Sequence, residues 1–516
     1  MFSKTFSAAI HGMEAVMVQV ETDVRNGLPQ LQMVGALATE AKEARDRVKI
    51  AIENSGYRLV PKHITVNLSP ADIRKEGTSF DLAIAISILA AFGFVPEEKL
   101  NDCIFAGELS LDGKINKIPG ILPMTRLAKK ENMRFCVVPQ ENVREAALQN
   151  GVQVFGVKSL DEVVRFLNGE LKKEAQPAMS KEELQVLQER SNRGNRHDFK
   201  DIIGQSAAKR ALLIAAAGGH HLLMIGPPGS GKTALAKCVP SILPELSFEE
   251  IVELTSVYSV AGKLKSDMEF VFRRPFKAPH HATTQSALLG GGRYAKPGLV
   301  SLCHHGVLFL DEFTEFKAEV LETLRQPLEE HEVSIARLYG NYTYPASFQL
   351  IAAMNPCPCG YYPDRNRCNC SLPQLQRYVG KISGPILDRI DMTIEVFPVE
   401  YEKLEQREQS ETSEELKKKV EQVRGIQKKR FLGRKITTNS EMGRQEIEEF
   451  CVLGEEEKKV LARFFREDEF STRRYFRILK LARTIADVDG NEKIKKEHLM
   501  EAVHYCNTGN RYWEVP

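Results

Sequence analysis

The 516-residue chain has no apolar run long enough to cross a bilayer. Its longest nearly apolar stretch, Leu82 to Val95, falls short of the roughly 20 residues that a spanning helix needs. Met1 to Val20 lacks a basic segment followed by an apolar core and a small-residue cleavage site, so no secretory leader is expected. An excess of charge of one sign is missing too. Lys and Arg number 71 against 69 Asp and Glu, a net charge of +2, so any nucleic-acid contact must come from local patches rather than from an overall field. These absences exclude a membrane partner and point to the cytoplasm, where most of the ten cysteines are expected as reduced thiols. A composition 42% hydrophobic and 27% charged is that of a globular protein. Its length allows about three domains, each with a core.

What is present is Gly226-Pro227-Pro228-Gly229-Ser230-Gly231-Lys232-Thr233, directly after the apolar run Leu222 to Ile225. A buried strand that ends in a glycine-rich turn and opens into a helix aims backbone N–H groups and the positive end of the helix dipole at a phosphate chain. Lys232 then reaches the β- and γ-phosphates of ATP, and the Thr233 hydroxyl holds Mg²⁺. Downstream, Gly306 to Leu310 runs into Asp311 and Glu312. Acids at the C-terminal edge of a buried parallel strand suit two tasks: Asp311 in the Mg²⁺ shell, and Glu312 polarising the water that attacks the γ-phosphate. By itself an apolar run into two acids is common and usually a strand leaving the core, but downstream of a phosphate loop it indicates an ATPase or GTPase. A third strand, Phe348 to Met354, ends on Asn355, whose amide would orient that water. Arg389 lies between Asp388 and Asp391, ahead of the apolar Met392 to Phe397. It reads either as a surface ion pair or as an arginine finger on a neighbour's ATP.

Four cysteines are not scattered. Cys357 and Cys359, then Cys368 and Cys370, form two C-x-C pairs separated by eight residues in a polar, turn-rich stretch. Four thiolates at that spacing suit tetrahedral Zn²⁺, although structural zinc sites usually space their cysteines more widely; four free thiols or a regulatory disulfide are the alternatives.

Residues 1–170 alternate strand signals with helical patterns at Glu40 to Ser55 and Phe80 to Phe92. Residues 171–196 turn charged and polar and read as a linker, and 197–400 carry the nucleotide motifs. Residues 401–516 are helical, beginning with a solvated helix over Leu404 to Lys429 and ending with helices at Thr472 to Asp487 and Lys496 to Cys506.

Together with Arg274 to His281, Leu289 to Gly292, Leu324 to Glu329, Ala352 to Gly360, Ser471 to Arg473 and Leu481 to Ala486, these motifs resemble the AAA+ ATPases of the magnesium-chelatase-like family, in its YifB/ComM group. The resemblance covers nearly the whole chain. It implies an α/β fold: an N-terminal Lon-protease-like (ribosomal S5-like) α/β domain, a P-loop AAA+ core with a parallel sheet, and a C-terminal helical lid. It also implies ring assembly, usually as hexamers, with Arg389 acting in trans and Arg473 as the lid arginine that senses the γ-phosphate. Arg477 and Arg483 are lesser candidates for that role. An insert, roughly Val257 to Arg293, and a hairpin, Val333 to Ala346, are implied to line a pore and grip DNA. Arg273, Arg274, Lys277, Arg337, Tyr339 and Tyr342 are the candidate contacts. His280 and His281, with no acidic partner nearby in sequence, read as structural.

The first domain resembles Lon-type protease domains through Asn67 to Asp72, Lys75 to Asp81, Gly107-Glu108 and Ile118 to Gly120. Ser79 falls at the nucleophile's position, but Leu122 stands where a Ser-Lys protease keeps its lysine, and Lys129 and Lys130 are too far along to replace it. The domain is therefore expected to be non-proteolytic and to serve oligomerisation or DNA contact. The implied activity is an ATP-driven DNA motor, a branch-migration helicase of recombination or natural transformation. The alternatives are a chelatase-type motor that remodels a protein or metal-insertion partner, and an ATP-dependent protease.

Overall fold

The structure is a computed structural model and describes residues 1–192, 197–264, 270–337, 340–399, 411–467 and 471–513. The N-terminal region forms a seven-stranded sheet in the order Gln30–Val34, His63–Ser69, Glu14–Arg25, Phe2–His11, Cys103–Phe105, Phe135–Pro139, Gln153–Val157. The helix Asp81–Ala91 lies wholly buried against this sheet. Its first residue, Asp81, is held by the Arg47 guanidinium at 2.6 and 2.9 Å. Burial pushes the Asp81 carboxyl up and Arg47 opposes that shift.

The central strand Phe2–His11 shows no plain apolar alternation, and its inward face explains why. Ser3, Thr5 and Ser7 are fully buried. Ser3 Oγ donates to the Ser87 carbonyl at 2.6 Å and Thr5 Oγ1 to the Ala83 carbonyl at 3.1 Å. Hydroxyls bonded to a helix backbone replace the hydrocarbon that an apolar alternation would display.

The second sheet has five strands, all parallel, in the order Phe276–Lys277, Val307–Leu310, Gln349–Met354, Leu222–Ile225, Met392–Glu395. Continuous burial of Leu222–Ile225, Val307–Leu310 and Gln349–Met354 follows from helices covering both faces. Because every strand runs the same way, the residues just beyond these strands gather along one edge.

Helices follow in the C-terminal region. Ser413–Arg430 corrects the solvated-helix expectation. It starts from a capping box between Thr412 and Glu415, and it buries Leu416, Val420 and Val423 in the core shared with the helices Ser206–Gly218 and Lys232–Ile242. Residues 404–410 of the expected helix lie outside the described residues. No helix among the described residues is long and apolar enough to cross a membrane.

Leu122 joins the two sheets' domains. It is fully buried in the first turn of the helix Ile121–Lys130, in a cluster with Leu148, Leu184, Ile251, Leu254 and Phe270. Beside it, the Gly120 N–H donates to Ser259 Oγ at 2.9 Å, and Ser259 donates in turn to the buried Glu145. Leu122, expected from the sequence at the place of a protease lysine, thus docks this domain onto the helix Phe248–Val260. Lys129 and Lys130 are exposed in the helix's last turn, and Lys75, four residues before Ser79, donates to the Pro70 carbonyl. Leu122→Lys is therefore expected to lose about 3 kcal/mol or more by placing a charge in an apolar cluster, a fall of roughly 10 °C in melting temperature. It should hydrolyse no casein. Recovery of peptidase activity would show that the site had merely lost its base.

Candidate nucleotide site

The loop that leaves the strand Leu222–Ile225 uses its glycines for two different reasons. Gly229 and Gly231 have φ of +77° and +93°, the left-handed region that favours glycine. Gly226 answers to packing inside the protein: a Cβ there would lie 2.1 Å from the Val396 carbonyl oxygen on the neighbouring chain segment.

Lys232 folds back on the loop. Its ammonium donates to the Gly226 and Pro227 carbonyls at 2.7 and 2.9 Å and to Asn355 Oδ1 at 3.3 Å. Burial lowers the amine to about 8, against the opposing field of Asp311. A triphosphate, as a richer acceptor, would take over these donors and favour the charged form. Thr233 Oγ1 donates to Asp311 Oδ2 at 2.7 Å, so the two residues read as Mg²⁺ ligands already converge across two strands. A hydroxyl and a carboxylate are the oxygen donors that Mg²⁺ prefers; when bound, the ion would neutralise charge on the β- and γ-phosphates.

Glu312 follows Asp311 with φ of +53°, an uncommon conformation for a side-chain-bearing residue, held in part by its own N–H bonding to Asp311 Oδ1 at 3.0 Å. Its carboxylate accepts a hydrogen bond from His281 Nδ1 at 3.0 Å. His281 therefore does have an acidic partner, which the sequence reading missed. The two residues are remote in the chain, and only the parallel pairing of Phe276–Lys277 with Val307–Leu310 sets them on one sheet edge. The His281 N–H occupies the lone pair that a general base needs. His281→Ala is expected to raise ATP turnover measured without any effector about fivefold, the equivalent of one hydrogen bond of about 1 kcal/mol. A fall in turnover would make His281 an aligning group instead of a restraint.

Gln205 was also missed. Its amide donates to the Ser230 carbonyl at 3.1 Å and to the Phe397 carbonyl at 2.6 Å, so it braces the phosphate loop against the segment that follows the edge strand. The signal lay in Gly204-Gln205 just ahead of the helix Ser206–Gly218, where Gln205 itself is left-handed at φ +58°.

Arg389 and Arg473 do not join this group. Arg389 donates to Glu329 and, at 2.7 Å, to the Pro385 carbonyl, and Arg473 lies 3.7 Å from Asp388. The lesser lid candidates are structural. Arg477 ties the lid helix Thr472–Val488 to the Ile390 carbonyl at 2.5 Å, and the buried Arg483 bonds Asp487 and the carbonyls of Asn491 and Glu492.

The candidate DNA contacts are largely engaged within the chain. Arg274 pairs with Glu250 at 3.1 Å and donates to the Pro244 and His305 carbonyls. Arg273 donates to the Ser191 carbonyl, and Lys277 lies over the Tyr258 ring at 5.4 Å. Tyr342 is half-buried against the His11 ring, with centroids 4.4 Å apart. Arg337 stays exposed while donating to the Gly292 carbonyl at 3.3 Å. Tyr339 lies outside the described residues.

The four clustered cysteines do meet. Their sulfurs all lie within 4.8 Å of one another, immediately beyond Asn355. A second group, Glu253, His304 and His305, is built differently. His304 Nδ1 accepts the Ser347 N–H at 3.1 Å, so its Nε2 carries the proton toward Glu253 and has no lone pair for a metal.

A phosphate loop, an Asp–Glu strand end and a polar residue on the next strand, on a parallel sheet with a helical lid, define a P-loop ATPase of the AAA+ class. Family models agree. The one described as magnesium chelatase, subunit ChlI, matches residues 198–404; subunit ChlI of Mg-chelatase matches 20–142; and the ChlI C-terminal model matches 410–506. The competence protein ComM of Haemophilus influenzae is 41% identical over 503 residues, covering 97% of this chain and 96% of its own. YifB of Escherichia coli is 40% identical over 495 residues, covering 96% and 95%. Lon protease 2 of Bacillus subtilis is 28% identical over 125 residues, 24% of this chain and 22% of its own, and the likeness falls in the N-terminal region. The chain belongs to the YifB/ComM group of magnesium-chelatase-like AAA+ ATPases.

Proposed function

We propose that the chain works as an ATP-driven DNA motor in a homo-oligomeric ring, hexameric by the habit of its class, and that it promotes branch migration of recombining strands. The observation that carries the DNA reading is the meeting of two hairpins. Arg337, at the end of the strand Glu332–Arg337, bonds the carbonyl of Gly292, and Arg293, Tyr294 and Lys296 are exposed alongside. Cations and an aromatic ring on adjoining loops suit a phosphate backbone and stacked bases. Arg293 and Tyr294 also reach Glu40 in the first domain, a contact through which movement of these loops would act on that domain. The name of the Haemophilus relative, a competence protein, supports the same reading.

Ring assembly is supported by the two arginines outside the cleft. Arg389 pairs with Glu329 and Arg473 with Asp388, and neither turns to the chain's own Lys232, which suits action on a neighbour's triphosphate. The test is turnover of ATP with and without forked DNA, followed by branch migration on a three-strand junction. Forked DNA is expected to raise turnover severalfold, the effect fading steeply with salt, and Arg337→Ala should reduce the stimulation while leaving unstimulated turnover intact. Equal turnover with and without DNA would favour the chelatase-type reading, a motor that remodels a protein partner.

A further inference from the structure

Cys357, Cys359, Cys368 and Cys370 occupy the connection between the strand Gln349–Met354 and the helix Leu372–Val379. Cys357 Sγ lies 3.3 Å from Cys359 Sγ and 3.8 Å from Cys368 Sγ. These separations are far beyond the roughly 2.05 Å of a disulfide. They approach the edge of about 3.8 Å that a tetrahedron of thiolates takes around zinc with bonds near 2.3 Å. Cys357, Cys368 and Cys370 are buried, and Cys359 is half-buried.

Backbone donors meet the first of these sulfurs. The N–H groups of Gly360 and Tyr362 donate to Cys357 Sγ at 3.2 and 3.4 Å, the backbone bonds that orient a metal-held sulfur. Apart from the cysteines, the small core of this segment contains only Leu375, Tyr361 and Tyr362. Beyond Gly360 and the prolines Pro356, Pro358 and Pro363, the rest is polar: Asp364, Arg365, Asn366, Arg367, Asn369 and Ser371. So little hydrocarbon does not order a loop of this length, whereas a metal does.

The segment also touches the nucleotide site from two sides. Cys357 is two residues beyond Asn355, whose amide accepts from Lys232. Gly360, at φ +88°, packs so closely on the phosphate loop that a Cβ would lie 2.5 Å from Pro228 Cδ. We propose that the four cysteine thiolates bind one Zn²⁺, and that this centre fixes Asn355 and the phosphate loop in the geometry that takes ATP. The metal site stands by itself; its link to nucleotide rests on the ATPase reading.

The test uses the full-length protein. Elemental analysis is expected to find one zinc per chain, with no visible absorption from an iron–sulfur cluster. Cys357→Ser and Cys370→Ser should lose the metal, and stripping the wild type with a mercurial and a chelator should weaken binding of a fluorescent ATP analogue about tenfold or more. Gly360→Ala covers the case in which the cysteine variants do not fold: all four thiols remain, so it should keep its zinc but bind the analogue more weakly, because a methyl group strains the φ +88° turn where it packs on Pro228. Absence of metal from the wild type, or iron in place of zinc, overturns the site. Zinc loss with unchanged nucleotide affinity overturns the coupling. Wild type and Lys232→Ala binding the analogue equally would instead sink the ATPase reading and leave the zinc result intact.

Discussion

Glu312→Gln is expected to bind ATP and assemble as the wild type does, but to turn it over about 100- to 10,000-fold more slowly, the usual contribution of a positioned general base. Binding survives because the groups that grip the phosphates are separate: Lys232 on the loop, and Thr233 bonded to Asp311. Turnover collapses because an amide has no basic oxygen to draw a proton from water, while its similar volume leaves the φ +53° turn undisturbed. The contrast with Lys232→Ala is informative, since that variant loses binding itself. Filter binding of labelled ATP, run beside phosphate release, separates the two outcomes. If Glu312→Gln hydrolyses ATP within tenfold of the wild type, another group activates the water and the assignment of Glu312 fails.

Arg389→Ala is expected to lose about a thousandfold or more in turnover, the range for an arginine supplied to a γ-phosphate from a neighbouring subunit. In the single chain this guanidinium is held by Glu329 and the Pro385 carbonyl, and its side chain is only 14% exposed. None of those partners belongs to the chain's own phosphate loop. Glu329 is 61% exposed, so water can take over its carboxylate when the guanidinium turns to a triphosphate, a stronger acceptor in a water-poor interface. Mixing Arg389→Ala with Lys232→Ala chains should therefore restore activity. With equal mixing, about a quarter of the head-to-tail interfaces combine an intact loop with an intact arginine. Two inactive proteins that stay inactive when mixed, although each exchanges into rings, would place the arginine's role inside its own chain.

How much could be foreseen differed by element. Leu222–Ile225, Gln349–Met354 and the helix beginning at Thr472 match their apolar patterns closely, because burial on a sheet or along a stripe leaves its mark in the residues themselves. Phe2–His11 left none, since it faces the helix Asp81–Ala91 with hydroxyls. Ser413–Arg430 misled in the opposite direction: so many charges surround Leu416, Val420 and Val423 that a narrow buried stripe looked like solvent-facing helix. In the site, Gly226 to Thr233, Asp311 and Asn355 were readable because each sits at a strand end, where local pattern and chemistry coincide. His281 was not, because its partner Glu312 is brought to it by sheet pairing.

The residues by themselves determined the phosphate-loop motif and the family, because both depend on which side chain stands at a short, local spacing. Tertiary structure decided which groups are free to act. It joined His281 to Glu312, committed Arg274 to Glu250, covered Tyr342 with His11 and gathered four thiols beside the phosphate loop. Such pairings arise where distant segments pack together, and separation along the chain carries no record of distance in the fold.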